Sequence, residues 1–117
     1  LYYFRVEYNE PGNLKILRPI AYCYFALGRF EESDKYYERL SSGKLNAHDQ
    51  INKGHLALCK GNKEEAVALY SQSIMSGELT RNQFMSIFAE DRALLVELGV
   101  NPDDLPILLD YLLFIID

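Results

Sequence analysis

The sequence predicts an all-α fold of antiparallel helix hairpins, and three observations carry that reading. A block of residues recurs at a fixed spacing of 33: Gly28 with Gly61, Glu31-Glu32 with Glu64-Glu65, Ser33 with Ala66, and Tyr37 with Tyr70. A period near 33–34 residues is the mark of stacked helical hairpins, each burying its face only against its neighbours. Leu17, Ile20, Ala21 and Tyr24 recur at i, i+3, i+4 and i+7, which places them on one face of a helix. The third observation is punctuation: a glycine, suited to the left-handed residue after a helix, is followed by paired acids suited to the positive end of the next helix dipole.

Taken in order, residues 1–13 read as the second helix of a preceding unit, with Tyr3, Val6 and a closing Pro11; Tyr2-Tyr3 stands 34 residues before Tyr36-Tyr37. Residues 14–46 form the next unit, with helices expected near 14–28 and 30–42. Pro19 is tolerated only in a first turn, so the first of these starts close to it. Residues 47–80 form a second unit, with helices near 47–60 and 62–76. In both, the small residue Ser33 or Ala66 marks a close helix crossing, and Tyr37 or Tyr70 fills space one turn later. Residues 81–117 read as a capping helix pair in which the period fades. Thr80 and Gln83 suit a capping box, opening a helix that ends at Gly99. Asn101-Pro102-Asp103-Asp104 then starts a last helix, with Asn as cap, Pro in the first turn and acids on the dipole. That helix is apolar nearly all round, an atypical hydrophobic cap.

These positions resemble the tetratricopeptide repeat (TPR). Residues 14–46 match its pattern at Leu17, Ile20-Ala21, Tyr24, Gly28, Phe30, Ser33, Tyr37 and Leu40, and residues 47–80 at Gly54, Ala57, Gly61, Ala66 and Tyr70. The chain departs from the pattern at Gln50 and Lys53, where large apolar residues are usual, and at Leu45 and Glu78, where a closing Pro is usual. The resemblance implies a TPR-like α-α superhelix whose first helices line a concave surface for a peptide or protein.

Composition narrows the function. Hydrophobic residues make up 49% and charged residues 25%, values of an ordinary globular chain. The net charge of −5 comes without a basic block, which argues against nucleic acid as a partner, since phosphate binding needs clustered Lys and Arg. The charge is uneven: residues 14–80 hold nine basic and eight acidic side chains, whereas residues 81–117 hold Arg81 and Arg92 against seven acids. Cys23 and Cys59 form no disulfide framework and read as reduced core thiols; the cytoplasm is the expected compartment. No apolar run approaches the roughly 20 residues of a membrane span, so no membrane partner is expected. Leu1 reads as mid-helix, and further sequence is expected before it.

No nucleotide, zinc-protease or nucleophile-elbow motif occurs, and neither a cofactor nor catalysis is expected. Asp103 and Asp104 fit the first turn of a helix without chemistry. His48, His55 and Cys59 share one stripe. His55 and Cys59 are spaced to share a metal, but His48 lies about 10 Å away along the axis and a closed zinc site wants four ligands, so no metal site is expected.

The first-helix stripe of the resemblance gives instead a candidate groove of Arg18, Tyr22, Phe25, His48, Ile51, Asn52 and His55, offering donors and aromatic faces to a peptide. Some TPR relatives hold a peptide carboxylate with a Lys-and-Asn clamp. Arg18 and Asn52 occupy two such positions, while Tyr22 stands where an Asn is expected. The leading expectation is a non-catalytic protein-interaction scaffold. Two alternatives stand beside it: an accessory domain of a larger, catalytic protein, and a self-association or packing domain whose groove is filled by its own C-terminal helix. The latter uses a surface of Leu105, Leu108, Leu109, Leu112 and Ile116 that makes a homo-oligomer.

Overall fold

The computed structural model describes residues 16–41 and 45–116 of the chain. Among the described residues all regular structure is helical: α1 (Leu17–Ala26), α2 (Phe30–Ser41), α3 (Ala47–Cys59), α4 (Lys63–Met75), α5 (Arg81–Glu97) and α6 (Asp104–Ile116). The all-α class and the TPR-like helix pairs read from the repeat are those observed. The helix expected over residues 1–13 lies outside the described residues. The chain divides into two units, Leu1–Leu45 and Asn46–Asp117, each with its own core.

Both repeat glycines end a helix in the way their spacing suggested. Gly28 has φ +79° and Gly61 φ +83°, a left-handed conformation that costs a residue with a Cβ extra energy. The bend satisfies carbonyls the helix leaves over. Gly28 N–H donates to Phe25 O and Arg29 N–H to Tyr24 O; Gly61 N–H donates to Leu58 O and Asn62 N–H to Ala57 O. This two-bond closure is the Schellman motif, and it recurs at Gly99, whose N–H and that of Val100 donate to Val96 O and Leu95 O.

In the first unit, α1 and α2 form an antiparallel pair. Leu17, Ile20, Ala21 and Phe25 of α1 are buried, as are Ser33, Tyr37 and Leu40 of α2. Ser33 is fully enclosed and its hydroxyl donates to Ala21 O at 2.7 Å. A hydroxyl on a small side chain therefore staples the two helices where they cross. Pro19 sits third in α1, among the first-turn residues whose N–H groups have no intrahelical acceptor, so its missing donor costs no ladder bond. Tyr24 and Tyr36 face each other at 5.6 Å between rings, with the Arg29 and Arg39 guanidiniums over their outer faces at 5.4 and 5.1 Å.

The second unit opens on a heavily capped helix. Asn46 Oδ1 accepts from Asp49 N–H at 2.8 Å, and Asp49 Oδ2 accepts from Asn46 N–H at 3.0 Å, a reciprocal capping box. Glu78 adds a third bond from the far end of the hairpin, its Oε2 accepting from Ala47 N–H at 2.9 Å. Where the family pattern puts a closing Pro, this chain puts a carboxylate on the positive end of the α3 dipole. Ser73 Oγ donates to Ala47 O at 2.9 Å nearby.

Between α3 and α4, Gly54 makes room for Tyr70: an added Cβ would stand 2.5 Å from Tyr70 Cε1. The buried Tyr70 ring meets Phe88 edge-on at 5.3 Å and Phe84 at 6.2 Å, joining α4 to α5 through an aromatic cluster. The expected Thr80–Gln83 capping box opens α5, and α5 begins 34 residues after α3. The repeat phase is thus kept at that helix start even though the residue pattern beyond Thr80 no longer displays it. α6 packs on α4, inserting Leu105 and Leu112, both buried. The Lys63–Asp104 ion pair at 3.3 Å and a bond from Arg81 to Leu113 O at 3.3 Å hold its two ends.

Candidate functional site

The seven residues of the expected groove fall in the two units. On α1, Arg18, Tyr22 and Phe25 follow at i, i+4 and i+7, the spacing of one helical stripe. Tyr22 is 40% exposed and Arg18 half-buried, whereas Phe25 is buried. Phe25 turns inward because its ring meets Phe30 at 6.2 Å across the α1–α2 turn. It supports Tyr22, 6.2 Å away, from beneath.

On α3, His48 is exposed and Asn52 half-buried, while Ile51 and His55 are buried. Ile51 is an ordinary core residue. His55 is enclosed by hydrogen bonds: its Nδ1 lies 2.6 Å from the Tyr70 hydroxyl and its Nε2 2.8 Å from Asp91 Oδ2. A carboxylate only accepts, so Nε2–H donates to Asp91, and in the neutral ring Nδ1 accepts the Tyr70 O–H. Phe88 closes the box edge-on to the imidazole at 5.6 Å. Phe25, Ile51 and His55 are thus buried, and the part of the expected set that reaches solvent is Tyr22 and His48, with Arg18 and Asn52 half-buried.

The Tyr70–His55–Asp91 chain has the residue types of an acid–base relay, but its Tyr70 and His55 are buried and only Asp91 reaches solvent, by a quarter. Burial, reinforced by the Asp91 carboxylate and, once it ionises, the Cys59 thiolate, pushes the Tyr70 phenol well above its ordinary value, so it holds its proton. Both imidazole nitrogens are engaged, which leaves none for a metal shared with Cys59. That thiol is half-buried, and desolvation pushes it from 9.0 up to about 11. A thiol so raised is a poor nucleophile at neutral pH. Among the described residues no group of three or more His, Cys, Asp or Glu side chains is arranged to hold a metal ion. No described helix is long and apolar enough to cross a membrane.

An open depression on the second unit is lined by His48 together with Leu79, Asn82, Gln83, Ser86 and Ile87. The α5 residues were not singled out from the sequence. Their signal was the spacing itself, since Asn82 and Ser86 stand 34 residues after His48 and Asn52. The polar, uncharged face of α3 continues onto α5.

The expected association surface on α6 is also redistributed. Leu105 and Leu112 face the interior, at 3% and 0% exposure, and Leu108 and Leu109 are half-buried. The Ile116 side chain lies outside the described residues. The outward face instead carries Ile107, Tyr111 and Phe114, exposed by 68%, 52% and 80%.

Comparison with known proteins adds one match: a family model described as tetratricopeptide repeat covers residues 20–42, from the middle of α1 to just past α2. No curated protein and no solved structure matches the chain. The matched segment contains Ala21, Gly28, Ser33 and Tyr37, the residues through which the α1–α2 pair turns and closes. The chain carries a tetratricopeptide-type repeat, a unit that in general serves protein–protein interaction and is typically non-catalytic.

Proposed function

We propose that the chain is a non-catalytic scaffold that binds a protein or peptide partner along the exposed faces of its first helices. In the second unit His48 and Asn52 on α3, continued by Asn82 and Ser86 on α5, supply a contact surface; in the first unit Tyr22 and Arg18 on α1 supply a contact of their own. The observation that carries this reading is the tetratricopeptide-repeat match over residues 20–42. It is supported by what reaches solvent on those helices: the Tyr22 ring, the His48 imidazole and the Asn82 amide, with Arg18 and Asn52 half-buried beside them, groups that bond a peptide backbone or side chains. Of the residue types that could perform chemistry, His55 and Tyr70 are buried in the core of the second unit, and Asp91 is engaged with His55 at its edge. A cytoplasmic setting belongs to the same proposal.

The test is quantitative co-purification with the wild-type chain and two double variants, Arg18→Ala/Tyr22→Ala and His48→Ala/Asn52→Ala. Partner recovery should fall in at least one variant while helix content and thermal stability hold. Identical partner lists for all three proteins would defeat the site assignment.

A further inference from the structure

Helix α6 presents two faces of unlike fate. Leu105 and Leu112 enter the core of the second unit, but Ile107, Tyr111 and Phe114 point away from it. Their spacing of four and three residues makes a continuous stripe on a helix. Three large apolar side chains in a row, each more than half exposed, form a patch of the kind that marks an interaction surface rather than scattered surface hydrophobics. The stripe also has depth beside it: Leu58, Val67, Leu105 and Leu108 line a groove along its inner edge, with Ile107 and Tyr111 as the outer wall. A ridge beside an apolar groove is the form that accepts the apolar face of a helix.

The charges around the groove indicate what kind of helix. Asp104 and Lys63 pair at its end, and Glu64 borders the adjoining surface with Val67 and Tyr111. Asp110 is exposed one turn from both Ile107 and Phe114. From Gly99 to Asp117 there is no Lys, Arg or His. A second copy pairing α6 against α6 about a two-fold axis would bring together two helices that carry acids and no base; the bases beside this face are Lys63, already paired with Asp104, and Arg92, which lines the other flank with Asp110. Like-charge juxtaposition of that kind selects against a partner. We infer that the outer face of α6 docks an amphipathic helix of another protein, its apolar residues laid on Ile107, Tyr111 and Phe114 and its flanks bearing Lys or Arg. This surface is separate from the first-helix faces, so the inference stands whether or not those faces bind.

The experiment uses the full chain and two synthetic helical peptides of about 18 residues, long enough for a helix to form on docking. Both carry Leu at i, i+3, i+4 and i+7; one carries Lys on the flanks and the other Glu. Fluorescence anisotropy should give the Lys peptide an affinity at least about tenfold above the Glu peptide. Ile107→Ser/Phe114→Ser should remove about tenfold of that affinity, the scale of losing anchor residues, and Asp110→Lys should narrow the Lys-over-Glu preference. All three positions are exposed, and thermal unfolding coincident with wild type confirms that the variants fold. Equal affinity for the two peptides, no measurable binding of the Lys peptide, or binding untouched by the Ile107/Phe114 substitutions would overturn the inference. So would sedimentation of the wild-type chain as a dimer that Ile107→Ser/Phe114→Ser converts to monomer, which would assign the face to a second copy.

Discussion

Replacing Gly54 by alanine sets two effects of opposite sign against each other, and the structure decides between them. Gly54 lies within α3, where a Gly-to-Ala exchange ordinarily stabilises a helix by about 1 kcal/mol. The new Cβ, however, would stand 2.5, 2.8 and 3.0 Å from Cε1, Cδ1 and Cζ of Tyr70. Carbon atoms settle at roughly 3.5–4 Å, so the ring must move by about 1 Å. It has nowhere to go: Tyr70 is fully buried, tethered through its hydroxyl to His55 at 2.6 Å and bounded by Phe84 and Phe88. Overpacking of this kind costs about 1–3 kcal/mol, and losing the hydroxyl bond adds about 1 kcal/mol. The clash outweighs the propensity, leaving a net loss of about 1–3 kcal/mol, or roughly 4–12 °C in Tm. Thermal unfolding followed by circular dichroism measures it. In a Tyr70→Leu background the same exchange should become neutral or stabilising, giving a large coupling in the double-mutant cycle. Gly61→Ala provides the contrast. Nothing lies within 4 Å of its added Cβ, so its cost of about 1–2 kcal/mol is backbone strain at positive φ and should not change with Tyr70→Leu. A rise in Tm for Gly54→Ala in the wild-type background would refute the packing argument.

Two further outcomes follow from the same unit. Because burial raises both the Cys59 thiol and the Tyr70 phenol, the folded chain holds protons that the unfolded chain releases first. Their contribution is full below about pH 9 and is lost as pH climbs toward about 11 and beyond; urea midpoints from pH 8 to 11 should decline, less so for Cys59→Ser, and at pH 8 alkylation of folded Cys59 should be about 100-fold slower than in the unfolded chain. Glu78→Ala should cost about 1 kcal/mol by uncapping Ala47 N–H, and Glu78→Gln less, since an amide oxygen still accepts; an unchanged Tm for Glu78→Ala would show that the carboxylate does not hold the α3 terminus.

What the sequence made legible was local or periodic. The glycine that ends a helix, the acids that open the next and the small residue at a crossing recur at fixed spacing, and each sits where that spacing put it. What it hid depended on partners far along the chain. His55 reads as a polar residue on a groove stripe until Asp91, 36 residues on, is seen beneath it. Glu78 reads as a missing proline until it reaches back 31 residues to Ala47. α6 hid its orientation for another reason. With apolar residues nearly all round, its sequence offers no amphipathic contrast to distinguish Leu105 and Leu112 from Ile107 and Phe114. The polar face of α5 was overlooked because the core residues of the repeat change beyond Thr80 while the helix phase does not.

Partner binding on the first-helix face is tested most directly by site-specific photo-crosslinking. A photoreactive amino acid is placed in turn at Asn52 and Ser86, on the polar face of α3 and α5, and at Gln72, exposed on α4. The expected result is a discrete crosslinked partner band from positions 52 and 86 that is absent from position 72 and is lost in the His48→Ala background. Crosslinks from position 72 equal to those from 52 and 86, or none from the first-helix positions under conditions where the partner co-purifies, would contradict binding on that face.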